Sequence, residues 1–257
     1  MPQIDVDRRG PVLHISVNRP EKKNALTGDM YHGLADAFDQ AGNDRDVRVI
    51  LLYGQGDTFT AGNDLEDFLH NPWKGQAVPP PIRFIRAVAS AKKPVIAAVH
   101  GLAIGIGTTI LLHCDLVYAA DDARFMMPFI NLGIVPEAAT TVLLPLLVGR
   151  QRAAELFLLG TTLTAQRAFE LGLVNAVVPR EQLFQTATAT AQQISERPLG
   201  AVVACKDLMK RAFHAEIERA LRDEEAVITE RLESAETKEA LSAFREKRKP
   251  DFSRFNV

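Results

Sequence analysis

Three features of this chain have the residue types and spacing to do chemistry. "FTAGNDLEDF" (59–68) and "HGLAIGIGTTILL" (100–112) each set glycines between an apolar run and a helix-like run. Glycine lets backbone N–H groups approach a ligand closely, and a following helix turns its positive end toward it. Two such loops together can hold one oxyanion between two N–H groups. The third feature is Glu137, the one charge in "GIVPEAATTVLLP" (133–145). Apolar surroundings raise a carboxyl pKa and make the carboxylate a stronger base. Plainer roles stay open for all three. Each loop reads equally as a tight turn. Pro136 suits the first turn of a helix, where an acid just after it favours the dipole.

Other chemistries find little support. Gly101, Gly105 and Gly107 match the dinucleotide G-x-G-x-x-G spacing poorly, and no phosphate-binding G-x-x-x-x-G-K-[ST] occurs. His100 and His113 lie in apolar segments and read as satisfied core histidines. No second ligand has metal spacing, so no metal is expected. Cys114 and Cys205 are far apart, which suits two buried thiols in a reducing cytosol. A net charge of -2 gives no electrostatic argument for nucleic acid or an anionic membrane. The charged N-terminus lacks the apolar run of a signal peptide, and the punctuated stretch 94–120 reads as buried strand, turn and helix. A cytoplasmic protein is expected.

The elements that would position these groups follow from periodicity. "VLHISVN" (12–18) alternates like a half-buried strand, and residues 27–43 put Met30, Leu34, Ala37, Phe38 and Ala41 on one helical face. Strands are expected at 47–54 and 93–101, with a loop at 71–81. Thr164 reads as a helix cap and Gly172 as its stop. Helices are expected at 181–196, 198–213 and 215–247, the last with Ile217, Leu221, Ile228 and Leu232 as an apolar stripe. This is the grammar of an α/β fold with a helical C-terminal part.

Five segments in order carry a family resemblance: "NRPEKKNALT" (18–27), "FTAGNDLEDF", "KPVIAAVHGLAIGIGTTILLHCDLVYAADDARF" (93–125), "LGIVPEAATTVLLPLLVG" (132–149) and "LTAQRAFELGLVNAVVP" (163–179). Together they resemble the crotonase family, the enoyl-CoA hydratases and isomerases, over essentially the whole chain. The resemblance implies a spiral of strand-strand-helix turns holding the acyl-CoA site over residues 1–195. A helical oligomerisation region would follow at 196–257, in a homotrimer or dimer of trimers. It implies an acyl-CoA thioester substrate, with coenzyme A part of the substrate and no separate cofactor. The amides of Asn63 and Ile106 would be the oxyanion donors. Ala25, Ala61, Asp64 and Leu65 would lie near the adenine or pantetheine arm, and Phe129, Met126, Met127 and Trp73 would shape the acyl pocket, with core packing as the alternative. Asp64 also reads as a loop cap. Asp115 in "CDLVYA" is expected to be structural, and the lysines 22 and 23 with the basic run 247–249 to be a solvated face.

Family hydratases place two acids where this chain has Thr109 and Phe129, neither of which can act as a carboxylate base. Glu137, with "AGND" at 61–64, resembles peroxisomal-type 3,2-enoyl-CoA isomerases. The expected reaction is transfer of a 3-enoyl-CoA double bond to trans-2-enoyl-CoA. Other enolate chemistry on an unusual or ring-derived acyl-CoA, weak hydration, and a silent acyl-CoA binding subunit are the alternatives.

Overall fold

The computed structural model describes residues 2–70 and 77–255. Trp73 lies outside them. In chain order the elements are β1 (Ile4–Arg9), β2 (Val12–Val17), α1 (Gly28–Asn43), β3 (Val49–Gly54), α2 (Leu65–His70), α3 (Pro80–Ala89), β4 (Val95–Val99), β5 (Leu102–Ile104), α4 (Ile106–Thr109), β6 (Leu116–Ala120) and β7 (Arg124–Met126). After them come α5 (Thr140–Val148), α6 (Arg150–Leu159), β8 (Leu163–Thr164), α7 (Ala165–Glu170), β9 (Ala176–Val178), α8 (Arg180–Ser195), α9 (Leu199–Arg211), α10 (His214–Leu232) and α11 (Ala235–Arg245).

The main sheet runs β1-β2-β3-β4-β6-β9, antiparallel only between β1 and β2. A second sheet, β5-β7-β8, stands beside it. Strand, short strand and helix recur along the chain, which is the expected α/β spiral with a helical C-terminal part. The edge strand β1 carries Asp5, Asp7, Arg8 and Arg9, charges of the kind that discourage edge-to-edge pairing.

Both faces of the sheet are covered, so β2 is buried along its whole length and not half-buried as its alternation suggests. Leu13, Ile15 and Val17 join the large core under α1 and α3. On the other face Val12, Val49, Leu51, Ile96 and Ala98 pack on Leu183, Ala187 and Ala191 of α8. Because α8 is distant in sequence, nothing local announces this cover. Thr27 and Thr164 cap α1 and α7 as expected, and Gly172 ends α7 at φ +80°.

Three local expectations are corrected. The apolar run after Gly105 is one turn of α-helix continued by a 3-10 turn, preceded by the extra strand β5. The charged stretch 215–247 is two helices, because Ser234 caps α11 by accepting from the Thr237 N–H. Cys205 is exposed on α9 instead of buried. The α10 stripe does reach the main core through Ala220 and Leu221, with Ile217 packed against it.

Candidate active site

The two glycine loops run side by side. A parallel bridge pairs Thr60 with Ala103, closed by Thr60 N–H to Leu102 O at 2.9 Å and Ile104 N–H to Thr60 O at 3.1 Å. Asn63 and Ile106 each lie three residues beyond that bridge. Gly62, at φ +85°, is where the loops touch: a Cβ there would stand 2.7 Å from the Ile104 carbonyl. Gly105, at φ 57° and ψ -118°, precedes α4 and turns the chain so that Ile106 opens the helix. The N–H of a first helical residue has no intrahelical partner. Among the described residues the amides of Asn63 and Ile106 donate to no carbonyl or side chain. Asn63 and Ile106 thus keep unpartnered N–H groups in adjoining loops.

The preceding segment straps these loops. Leu26 N–H donates to Gly62 O at 2.8 Å, Ala61 N–H to Lys23 O at 2.9 Å, and Asp64 N–H to Leu26 O at 2.9 Å. Asn24 is fully buried; its amide donates to Thr58 O at 2.6 Å and Gln55 O at 2.8 Å and accepts from Arg19 N–H at 2.8 Å. Asn24→Ala strips partners from buried backbone groups. It is expected to lower stability by roughly 2–4 kcal/mol, read as a Tm drop of about 5–15 °C. Asp64 takes the capping role: one oxygen accepts from the Glu66 and Asp67 N–H groups at 3.0 Å, and the other pairs with Arg19 at 2.6 Å. Burial pushes its carboxyl up, but those N–H groups and Arg19 outweigh it and the net shift is downward.

Glu137 is 7% exposed, and its Oε1 is the one carboxylate oxygen among the described residues that is buried without a hydrogen-bond partner. Burial first, and the charge of Glu224 second, push its pKa up to about 8. Its carboxylate also helps raise the Tyr31 hydroxyl, after burial, and that hydroxyl donates to the Asn63 side chain. Glu137 and the Asn63 side chain thus share the neighbourhood of Tyr31. Phe129 is 6% exposed and stands beside Gly105, whose Cβ would lie 3.9 Å from its ring. Thr109 is fully buried with its hydroxyl unpartnered, as is that of Thr140.

The helix-dipole reading of Glu137 is corrected. Helix α5 starts at Thr140, and before it Ala138 (φ 64°) and Ala139 (φ 54°) are both left-handed. Each such alanine costs roughly 1–2 kcal/mol. The glutamate is therefore aimed by a strained turn and not by a proline-started helix. Residues at both ends and the middle restrain this turn. Arg231 donates to Gly133 O at 3.0 Å, His113 to Ala138 O at 2.8 Å, and Glu224 accepts from Ala139 N–H at 2.6 Å.

Sequence reasoning passed over Tyr31 and Glu224. Each is a polar residue set into an apolar helical stripe, and that was the available signal. His100 and His113 are core histidines bonded to backbone carbonyls, as expected. Asp115 accepts from Val95 N–H at 2.7 Å and pairs with Lys206 at 2.6 Å, a structural role. Lys22 and Lys23 pair with Glu66 and Asp57 at the surface. No cluster of metal-ligating side chains occurs among the described residues, and no helix there is long and apolar enough to cross a membrane. A cavity of about 390 Å3 beside α8 is lined by Tyr53, Gln55, His100, Arg180 and Phe184 among others, with no carboxylate in its walls.

The raised pKa sets a pH dependence. From pH 4.5 to about 8 the folded protein keeps a proton on Glu137 that the unfolded chain has released. More bound protons in the native state means stability falls as pH rises, by up to about 1.4 kcal/mol per unit. Above about pH 8 the loss is complete. Glu137→Gln is expected to remove this slope, checked by Tm against pH for both proteins.

A sequence model of the enoyl-CoA hydratase/isomerase family matches residues 7–254. The 1,2-epoxyphenylacetyl-CoA isomerase of Escherichia coli K12 is 36% identical, covering 94% of this chain and 95% of that protein. The 2,3-dehydroadipyl-CoA hydratase of the same organism is 31% identical over 98% and 99%. An enoyl-CoA hydratase/isomerase crystal structure from Pseudoalteromonas atlantica T6c superposes with a TM-score of 0.94, at 42% identity, over 98% of this chain and 100% of that one. Two adjoining glycine loops, a buried carboxylate and these whole-length matches converge: the chain belongs to the crotonase, or enoyl-CoA hydratase/isomerase, family of acyl-CoA enzymes.

Proposed function

We propose that this acyl-CoA enzyme is a 3,2-enoyl-CoA isomerase. Glu137 removes a proton from carbon 2 of a 3-enoyl-CoA, the C–H electrons delocalise into a dienolate, and the same carboxyl returns the proton to carbon 4. The amides of Asn63 and Ile106 stabilise the thioester oxygen as its charge grows, so they favour the transition state over the substrate. The observation that carries this reading is the buried, unpartnered Glu137 carboxylate in a site whose two hydratase-acid places hold Thr109 and Phe129. A hydratase needs acids there to activate water; moving a double bond needs one base.

Phe129 walls the acyl chain in this reading. Ala25, Ala61 and Leu65 line the coenzyme A arm, and Asp64 holds their loop through Arg19. Exposed Leu146, Leu147, Leu158 and Leu159 on α5 and α6 support assembly of several copies, since contiguous exposed apolar side chains commonly mark subunit contacts. A second reading within the same chemistry draws on the Escherichia coli relative named for an epoxyphenylacetyl-CoA. The unpartnered Thr109 and Thr140 hydroxyls suit an oxygen-bearing or ring-derived acyl group as well.

Separate incubation with 3-hexenoyl-CoA and trans-2-hexenoyl-CoA tests the proposal. Isomerisation of the first with no hydration of the second is expected. Hydration of the second without isomerisation of the first would refute it. The acid limb of kcat/KM reports the free enzyme's base and is expected near pH 8, with activity rising through it as Glu137 loses its proton.

A further inference from the structure

Glu137 lies in a segment between the 3-10 turn ending at Leu132 and helix α5, and local propensity does not fix its shape. Two left-handed alanines follow it directly, and nothing in alanine favours that conformation. The turn persists because distant side chains bind its peptide groups. Glu224 comes from α10 and is 5% exposed. One of its oxygens accepts the Ala139 N–H at 2.6 Å; the other accepts the Thr141 N–H at 2.9 Å and the Thr141 hydroxyl at 2.5 Å. The carboxylate thus caps a helix that belongs to another part of the chain, gripping the residues on either side of Thr140. From the segment after α4, His113 donates to the Ala138 carbonyl at 2.8 Å. The peptide group between the two strained residues is therefore held at both its carbonyl and its N–H, from two separate elements.

We propose that Glu224 and His113 are positioning residues for the base: they clamp the Ala138–Ala139 turn and so fix where the Glu137 carboxylate stands relative to the oxyanion donors. This rests on Glu137 being the base. Neither residue touches the reacting atoms. A capping carboxylate could in principle serve stability alone, but this one caps at the only turn that carries the base, and it brings a second negative group toward it. The C-terminal helices thereby take part in catalysis without contributing a reacting group.

Burial and Glu224 on α10 raise the pKa of Glu137, and Tyr31 on α1 feels its charge. His113 is held neutral by burial at a pKa of about 4, with Lys210 and Lys206 of α9 behind it. Asp223, beside Glu224, adds to the raising of Glu224 itself, in which burial leads.

The test compares Glu224→Ala, Glu224→Gln and His113→Phe with Glu137→Gln, each with 3-hexenoyl-CoA and with folding verified by circular dichroism. Glu224→Ala and His113→Phe are expected to lose at least about tenfold in kcat with KM within about twofold, since small misplacement of a catalytic group slows chemistry without loosening the substrate. Glu224→Gln keeps the size, removes the charge and leaves one accepting oxygen where the carboxylate uses two. Its acid limb of kcat/KM is expected at lower pH than in the wild type, with a smaller fall in kcat, and it decides the matter alone if the alanine variant does not fold. A purely stabilising role would lower Tm and leave kcat where it is. Folded Glu224→Ala and His113→Phe proteins with wild-type kcat overturn the proposal, as does wild-type kcat in folded Glu224→Gln if the alanine variant does not fold. If Glu137→Gln is inactive while the Glu224 variants behave as wild type, only the clamp falls. If Glu137→Gln keeps full activity, the base assignment falls and the clamp with it.

Discussion

Glu137→Gln is expected to lower kcat on 3-enoyl-CoA by roughly two to four orders of magnitude, the range over which a positioned general base contributes. The amide is close in size to the carboxyl, so the fold and acyl-CoA binding should survive, and thermal stabilisation by added acyl-CoA should persist. Among the described residues no other buried carboxylate oxygen lacks a hydrogen-bond partner. Thr109 and Phe129 occupy the other acid places, and Glu224 has both oxygens committed to Ala139 and Thr141. Loss of kcat with retained binding is the signature of a group used in the chemical step. The same substitution should remove the fall in stability between pH 4.5 and about 8. One variant therefore tests both the base and its raised pKa, by independent measurements.

Gly62→Ala is expected to have the second largest effect, through the oxyanion donors. At φ +85° a side chain is strained whatever the space, and here the added Cβ would also stand 2.7 Å from the Ile104 carbonyl oxygen. Backbone carbonyls cannot swing aside as a flexible side chain can, so the two loops must separate or shift in register. Either movement takes the Asn63 amide out of line with that of Ile106. Losing one such donor slows acyl chemistry by roughly 10²–10³-fold. The variant should still fold, because the strap from Asn24, Leu26 and Ala61 remains, though with a lower Tm. The measurement is kcat on 3-enoyl-CoA alongside Tm. A wild-type kcat would remove Asn63 from the oxyanion hole.

The sequence announces what local chemistry decides. Thr27 and Thr164 cap helices because a hydroxyl next to free N–H groups suffices, whatever packs above it. The two glycine loops are visible as loops for the same reason. What hides is what distant segments impose. Alternation in β2 suggests one wet face, and only α8, folded over the sheet from far along the chain, makes both faces dry. Alanine propensity argues for helix through Ala138 and Ala139, and the left-handed turn exists because Glu224 and His113 hold it. Glu224 itself was legible as an acid standing between Leu221 and Ile228 on an apolar stripe, though its partners were not. The break at Ser234 lies in so dense a run of charge that the periodicity continues across it.

The account turns on one carboxyl group moving a proton from carbon 2 to carbon 4. Proton NMR of 3-hexenoyl-CoA in deuterated buffer, with wild type and Glu137→Gln side by side, measures this directly. Wild type is expected to give trans-2-hexenoyl-CoA that carries substrate-derived hydrogen at carbon 4, and the variant to leave the substrate unchanged. Full isomerisation by folded Glu137→Gln protein would contradict the account.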